Sequence, residues 1–490
     1  MRSRAIRLLG TSVRAVAIIV ATLIVIRAFD ARSLPDLHVW HEVRLENEFS
    51  VDRDKDVQTL ETYLELEEAV FRELDEEVYS GHSSVAGGSA SRYNATSVFR
   101  SQNHEIDWNR TVELVPDQPR GVALMLHGLT DSPYSMRSTA ALFFANGYRI
   151  LMPRLPGHGT APAGILHAKW EDWQAVVRLC AEYLRAEADS ELPFVVVGYS
   201  NGGALAVNYA LGTLEDHNIP KPDQLILMSP AIGVTPFAFF ASWNRLLSWM
   251  PFFSKFAWES VLPEYDPYKY NSFPKSAGNE TYELAKRVQK RLNSLKSSDD
   301  LASIPPIITF APVVDSTVRS EATVDHLYGR LNRPQDELVL YDINRLGNLV
   351  QFFASDYLAL LRRVQGDAAR KYRLTVVRNS SADSRQVVAM SEQDSRTTTV
   401  PLDTEWPLGI YSLSHVAIPF PASDTWYGDG SSTSGDHFSL GRLNHYGEKN
   451  LLSISPAQIM RLRYNPFFDY QARRLSETLQ SVAARHQLEQ

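Results

Sequence analysis

Phe194-Val195-Val196-Val197-Gly198-Tyr199-Ser200-Asn201-Gly202-Gly203-Ala204 is the stretch on which the reading of this chain turns. Four apolar residues, three of them β-branched, predict a short buried strand, and Ala204 to Leu211 predicts the helix that follows. Between the two lies Gly-x-Ser-x-Gly. A serine on a sharp strand-to-helix turn needs neighbours without side chains two residues away on each side, which Gly198 and Gly202 supply. Gly203 and Ala204 then let the helix lie close to the sheet. The start of that helix aims backbone N–H groups at any negative charge developing beside the serine. The five-residue pattern alone is common. With a strand before it and a helix after it, it marks Ser200 as a candidate nucleophile and the Asn201 amide as a candidate oxyanion donor.

The same rhythm extends on both sides. Short, nearly continuous apolar runs occur at Val122 to Leu126, Tyr148 to Met152, Leu225 to Met228, Ile307 to Phe310 and Leu338 to Tyr341, with amphipathic stretches between them. Strands of this kind belong to a mostly parallel central sheet with helices on both faces, so the expected class is α/β. Val122 to Leu126 runs directly into His127-Gly128-Leu129-Thr130. That position suits an oxyanion loop, with the Leu129 N–H pairing with that of Asn201, and a histidine there supports the loop rather than moving protons.

Four motifs in order resemble the carboxylesterase and monoacylglycerol-lipase-like branch of the α/β-hydrolases. They are Leu124-Met125-Leu126-His127-Gly128, Pro153-Arg154-Leu155-Pro156-Gly157-His158-Gly159-Thr160 followed by Trp170-Glu171-Asp172-Trp173, the Ser200 turn, and Ala311-Pro312-Val313-Val314-Asp315-Ser316-Thr317-Val318. The resemblance covers about residues 120 to 345 and implies an α/β-hydrolase fold with a serine, acid and histidine triad. The family places its acid after a buried strand, which here gives Asp315; a plain turn-forming aspartate is the alternative, and Asp325 and Asp342 fit less well. His158 would shape its turn. The histidine departs from the family pattern, because Asp342-Ile343-Asn344-Arg345 follows the strand Leu338 to Tyr341 where a histidine is usual. Gly409 to Ser414 reads as an apolar strand ending in Ser414-His415-Val416, the family's arrangement at its base. His415 is therefore the expected base, separated from its customary place by an insertion over 347–407. His437 and His445, in a polar Gly-rich stretch, are the alternatives.

The resemblance implies that Ser200 forms an acyl-enzyme from a carboxylic ester, with no metal or organic cofactor. Thioesterases, acyltransferases and serine peptidases use the same triad. A reading of another class, an inactive membrane-tethered binding protein, draws on the displaced histidine alone.

The chain has 490 residues, 44% of them hydrophobic, and a formal net charge of -8. That length suits one catalytic domain over 98–490 with added pieces, and the absence of a basic run outside the N-terminus excludes the footprint of a nucleic-acid binder. A small-molecule or lipid ester is the expected partner. Cys180, the single cysteine, reads as a packed thiol. Within 1–30, Arg2, Arg4, Arg7 and Arg14 precede the apolar run Ala15 to Ile26. Leu8 to Phe29 is long enough to span a membrane if Arg14 and Arg27 reach the interfaces, which predicts a single-pass anchor with the catalytic bulk on the periplasmic side. A cleaved signal peptide and an exported soluble form are the rival, although Ala28-Phe29-Asp30-Ala31 lacks the usual spacing of small residues. Residues 31–97 contain an acidic amphipathic helix over 54–79 and a Gly/Ser-rich linker over 81–91. Aromatic density from Phe237 to Trp258 predicts that 236–303 forms a helical cap over an apolar pocket, and the insertion over 347–407 predicts a helix near Leu349 to Val364 and a hairpin from Tyr372 to Met390.

Overall fold

Side chains along a strand alternate between the two faces of a sheet, and here both faces are apolar. Val122, Leu124 and Leu126 join one core, Ala123 and Met125 the other. The division repeats for Val196 against Val195 and Val197, and for Leu225 and Leu227 against Ile226 and Met228. A sheet so patterned must be covered on both sides. The computed structural model, which describes residues 34–80, 90–188, 191–233, 251–295, 297–347, 353, 358–432, 439–441 and 455–489, shows how.

The strands are β1 (Val112–Leu114), β2 (Gly121–Leu126), β3 (Tyr148–Met152), β4 (Phe194–Tyr199), β5 (Gln224–Met228), β6 (Trp258–Ser260), β7 (Phe273–Pro274), β8 (Ile307–Pro312), β9 (Glu337–Tyr341), β10 (Arg373–Asn379), β11 (Gln386–Gln393) and β12 (Arg396–Glu405). Ten form one sheet in the order β1-β3-β2-β4-β5-β8-β9-β10-β11-β12, and β6 and β7 pair separately. From β3 to β10 neighbours run parallel. β1, β11 and β12 are antiparallel to their neighbours. The six buried apolar runs expected as central strands are all present, with ends within two residues of the expected ones.

The longer helices are α1 (Leu60–Leu74), α2 (Arg137–Ala145), α3 (Trp170–Ala186), α4 (Asn201–Gly212), α5 (Lys275–Ser294), α6 (Ala359–Gln365) and α7 (Phe468–Glu489). One face of the sheet packs Trp173, Val176 and Cys180 of α3, Ala204 and Leu205 of α4, and Leu284, Val288 and Leu292 of α5. The other packs Ala140 and Phe143 of α2 and Leu475, Leu479 and Val482 of α7. Cys180 is fully buried, and burial pushes its thiol far above the ordinary range.

The acidic helix begins at Leu60, later than the expected residue 54, because the Thr59 hydroxyl caps it by accepting from the Thr62 N–H. Its apolar side faces the ten-stranded sheet: Leu60 and Tyr63 join the same core as α3, and the Tyr63 hydroxyl donates to the Arg154 carbonyl at 2.6 Å. The Arg154 guanidinium is itself buried, between Glu48 at 3.0 Å and Glu67 at 3.1 Å.

Several expectations from the sequence fall elsewhere. The membrane segment Leu8 to Phe29 and most of the linker over 81–91 lie outside the described residues, and no helix among those described is long and apolar enough to cross a membrane. Most of the aromatic run at the start of the cap, 234–250, is likewise outside them. In the rest of that insertion α5 packs Ala277, Leu284, Val288 and Leu292 inward as a flanking helix, while the segment before it lies against the loop after β2, where the Tyr270 N–H donates to the Thr130 carbonyl at 2.9 Å. In the second insertion α6 carries the described part of the expected helix, whose residues 349–352 and 354–357 lie outside the described ones, and the expected hairpin appears as β10 and β11. The third strand, β12, was not expected, because its residues are almost all exposed and polar and give no alternating pattern. Gly409 to Ser414 is not a strand. Pro407 and the left-handed Gly409 (φ 79°) end the sheet before it, and the segment runs on as an irregular loop.

Candidate active site

β4 ends at Tyr199 and α4 begins at Asn201, so Ser200 alone makes the turn, at φ 53° and ψ -114°. A non-glycine residue holds such a conformation only when its surroundings enforce it. The Ser200 N–H donates to the Met228 carbonyl and the Ala231 N–H donates to the Ser200 carbonyl, both at 2.9 Å. The flanking glycines are needed for space. A Cβ at Gly198 would stand 2.4 Å from the Gly202 carbonyl oxygen, and one at Gly202 would stand 2.2 Å from the Leu126 oxygen. The second contact shows that the end of β2 presses against the serine turn, which brings the loop beginning at His127 beside it.

That loop is fixed by its histidine. The Leu155 N–H donates to His127 Nε2 at 3.1 Å, so the proton sits on Nδ1 and is given to the Gly128 carbonyl at 2.9 Å. Burial pushes His127 down to about 4 and keeps it neutral. His158 packs edge-on against it, with its Nδ1 at 3.0 Å from the Pro156 carbonyl, and burial lowers it too, well below the ordinary histidine range. The Trp173 indole donates to that same carbonyl at 3.0 Å and so ties α3 to the loop after β3. Leu129 is followed by Thr130 in the left-handed region (φ 66°), and Asn201 is the first residue of α4, whose N–H has no partner within the helix.

Asp315 follows β8, and its carboxylate is buried. Its Oδ1 accepts from the N–H groups of Thr317 at 2.7 Å and Val318 at 3.0 Å. His415 Nδ1 lies 3.2 Å from Oδ1 and 3.1 Å from Oδ2. Burial pushes this carboxyl up, but His415 and the two amides outweigh it and hold it below its ordinary value. Asp325 is exposed and paired with Arg363, whereas Asp342 is buried and paired with Arg345; no contact joins either to His415.

His415 arrives at this place although 100 positions separate it from Asp315. The returning chain is pinned to the loop just after β9: the Asn344 N–H donates to the Tyr411 carbonyl at 2.8 Å, and its side-chain amide donates to Ile410 at 3.0 Å. Ser414 then donates to the Leu462 carbonyl at 2.7 Å. His437 and His445 lie outside the described residues. Burial lowers His415, Asp315 opposes that shift, and Arg461 and Lys269 add to it, which leaves the imidazole neutral near pH 7. No hydrogen bond joins the Ser200 hydroxyl to a described residue. The structure therefore brings Asp315 and His415 together and leaves the link from His415 to Ser200 open, while the His415 ring stands 6.5 Å from that of Tyr199, the residue before the serine. Hydrogen bonds of this kind commonly tighten only around substrate.

Three charged residues beside the site were not legible in the sequence. Lys269 pairs with Asp131 at 3.2 Å, and Arg461 Nη2 lies 3.0 Å from His415 Nδ1. None sits in a motif, and Met460-Arg461-Leu462-Arg463 gives no signal apart from its charge.

A family model described as the α/β hydrolase family matches residues 123–381. A thermostable monoacylglycerol lipase of Bacillus sp. (strain H-257) is 36% identical over 92 residues, 19% of this chain and 35% of that protein. A carboxylesterase of Bacillus subtilis (strain 168) is 31% identical over 84 residues, 17% of this chain and 33% of that protein. A solved structure of the metagenome-derived lipolytic enzymes LipS and LipT is 21% identical, covering 54% of this chain and 98% of that one at a TM-score of 0.38. The chain spans between 33% and 43% of the length of the curated relatives it matches.

Proposed function

Because the chain belongs to the α/β hydrolase family over residues 123–381, we propose that it is a serine hydrolase cleaving carboxylic esters through an acyl-enzyme on Ser200. The observation that carries this reading is the buried Asp315–His415 pair, held at the same edge of the sheet as a serine forced into a left-handed turn. Ser200 Oγ attacks the acyl carbonyl while His415 Nε2 takes its proton, and Asp315 keeps the other imidazole proton on Nδ1. The Leu129 and Asn201 amides receive the oxyanion. Collapse breaks the ester bond, His415 returns the proton to the departing alcohol, and water repeats the sequence to release the acid. The similarity to a monoacylglycerol lipase and a carboxylesterase supports an ester with an apolar acyl or alcohol part.

The test is labelling by a fluorophosphonate probe together with hydrolysis of a series of 4-nitrophenyl esters. The wild-type chain should label and turn over, and Ser200→Ala should do neither, losing several orders of magnitude in kcat. Retained hydrolysis by Ser200→Ala overturns the reading. We also propose, on the sequence alone, that Leu8 to Phe29 anchors the chain with its catalytic part on the periplasmic side. Full-length protein should then stay with membranes through carbonate extraction, and release would overturn this.

A further inference from the structure

A cavity of about 120 Å³ lies between the loop after β2 and the turn that carries His415, lined among others by Asp131, Lys269, Tyr427, Gln458, Arg461 and Arg463. This volume is the share of roughly four liquid waters, room for a group the size of a phosphate or carboxylate. Three of its walls are cationic. Lys269 is balanced by Asp131, and Arg463 by Asp266 at 3.4 Å. Arg461 differs: among the described residues no carboxylate lies within ion-pair reach of it, and its Nη2 donates to the Thr317 hydroxyl at 3.1 Å and meets His415 Nδ1 at 3.0 Å.

The second contact conflicts with catalysis. His415 Nδ1 either gives a proton to Asp315 or accepts one from Arg461, and it cannot do both. Accepting from Arg461 forces the imidazole proton onto Nε2, where it blocks uptake of the Ser200 proton. The imidazolium formed during attack would also face a like charge. The productive state therefore needs the guanidinium to point elsewhere, and this cavity, one of two that Arg461 lines, is the adjoining space it shares with Lys269 and Arg463. A planar fork of N–H donors is suited to the paired oxygens of a phosphate or carboxylate.

We propose that this cavity binds an anionic group, a phosphate or carboxylate, carried by the ester substrate, and that Arg461 recognises it by swinging off His415. Specificity for a charged ester and release of the base are then one event. This deepens the ester-hydrolase reading and rests on it.

The test uses two pairs of soluble esters, 1-butyrylglycerol with and without a 3-phosphate, and 4-nitrophenyl butyrate against mono-4-nitrophenyl succinate, with the full chain and Arg461→Gln and Arg461→Lys. The wild-type chain should favour the charged member of at least one pair by tenfold or more in kcat/KM. In Arg461→Gln that preference should fall to near one, through a higher KM for the charged ester and a higher kcat for the neutral one, while Arg461→Lys should keep part of it. An unchanged ratio in Arg461→Gln, with Ser200 still labelled by fluorophosphonate, overturns the inference and leaves the hydrolase reading standing. Absence of labelling and of all ester turnover in the wild-type chain removes both. If millimolar inorganic phosphate speeds the neutral esters in the wild-type chain and no charged ester is preferred, the anion is a free effector and the substrate assignment is wrong.

Discussion

Asp315→Asn changes one oxygen of the site to an amide with almost no change in shape, and its effect can be worked out from the contacts. Oδ1 accepts two backbone N–H groups, from Thr317 and Val318, so the amide oxygen of asparagine must take that place. Its NH2 then faces His415 Nδ1, which can only accept. The imidazole proton moves to Nε2, and the lone pair that should receive the Ser200 proton is lost. A wrong tautomer in a serine triad costs about 10⁴ in kcat, or roughly 5.4 kcal/mol of barrier at 1.36 kcal/mol per tenfold. Asp315 is also the main group raising His415 against its burial. Its loss should move the acid limb of whatever activity remains to lower pH. The assay is steady-state hydrolysis of 4-nitrophenyl butyrate by purified protein, with the circular-dichroism melting curve compared to show that the fold is kept. A folded Asp315→Asn protein with kcat within tenfold of wild type would refute the reasoning, because His415 would then owe neither its tautomer nor its orientation to Asp315.

Two further predictions concern the frame around the site. Arg154→Met leaves Glu67, nearly fully buried, without its cation, which should cost on the order of 3–5 kcal/mol of stability; the denaturant midpoint should drop, and adding Glu67→Gln should recover part of the loss. Acid should destabilise the fold well before carboxylates titrate: His127 is neutral in the folded chain down to about 4 and protonates near 6.5 when unfolded. Its contribution is thus complete above pH 6.5 and is lost as pH falls from there to about 4, roughly 3 kcal/mol in all, and a His127→Gln chain should show a flatter melting temperature across that window.

What could be read from the sequence was what local chemistry dictates. Six strands declared themselves because residues such as Val195 to Val197 are buried on both faces and must all be apolar. The Ser200 turn was legible because no residue but glycine fits at Gly198 or Gly202. Asp315 and His415 were reached through the resemblance to a family, since nothing in their spacing predicts a contact. β12 was missed because an edge strand with an exposed face carries no burial pattern, and Gly409 to Ser414 was misread because its apolar residues are buried by loop packing, Ile410 against the Asn344 loop and Leu413 in the core under α7. Arg461 gave no sign at all. Its role depends on a contact across 46 positions that only the folded chain makes.

The long excursion between β9 and His415 shows how a residue can drift far along a chain and still meet its partner, here Asp315. Each doubling of a loop costs only about 0.6 kcal/mol in closure entropy, and this excursion is not a bare loop. β10 pairs with β9 in parallel register from Arg373↔Glu337 to Val377↔Tyr341, and β11 and β12 continue the sheet outward. Leu374, Val376, Val377, Val387, Ala389 and Trp406 are buried in the process, so the inserted residues gain their own apolar burial. What the active site requires is only that the chain come back to one point. Asn344, two residues beyond Asp342 at the end of β9, binds the carbonyls of Ile410 and Tyr411 and fixes that point, four residues before His415. The place of His415 is therefore set by where the returning chain docks on the old strand end, and the number of residues spent in between is free to vary.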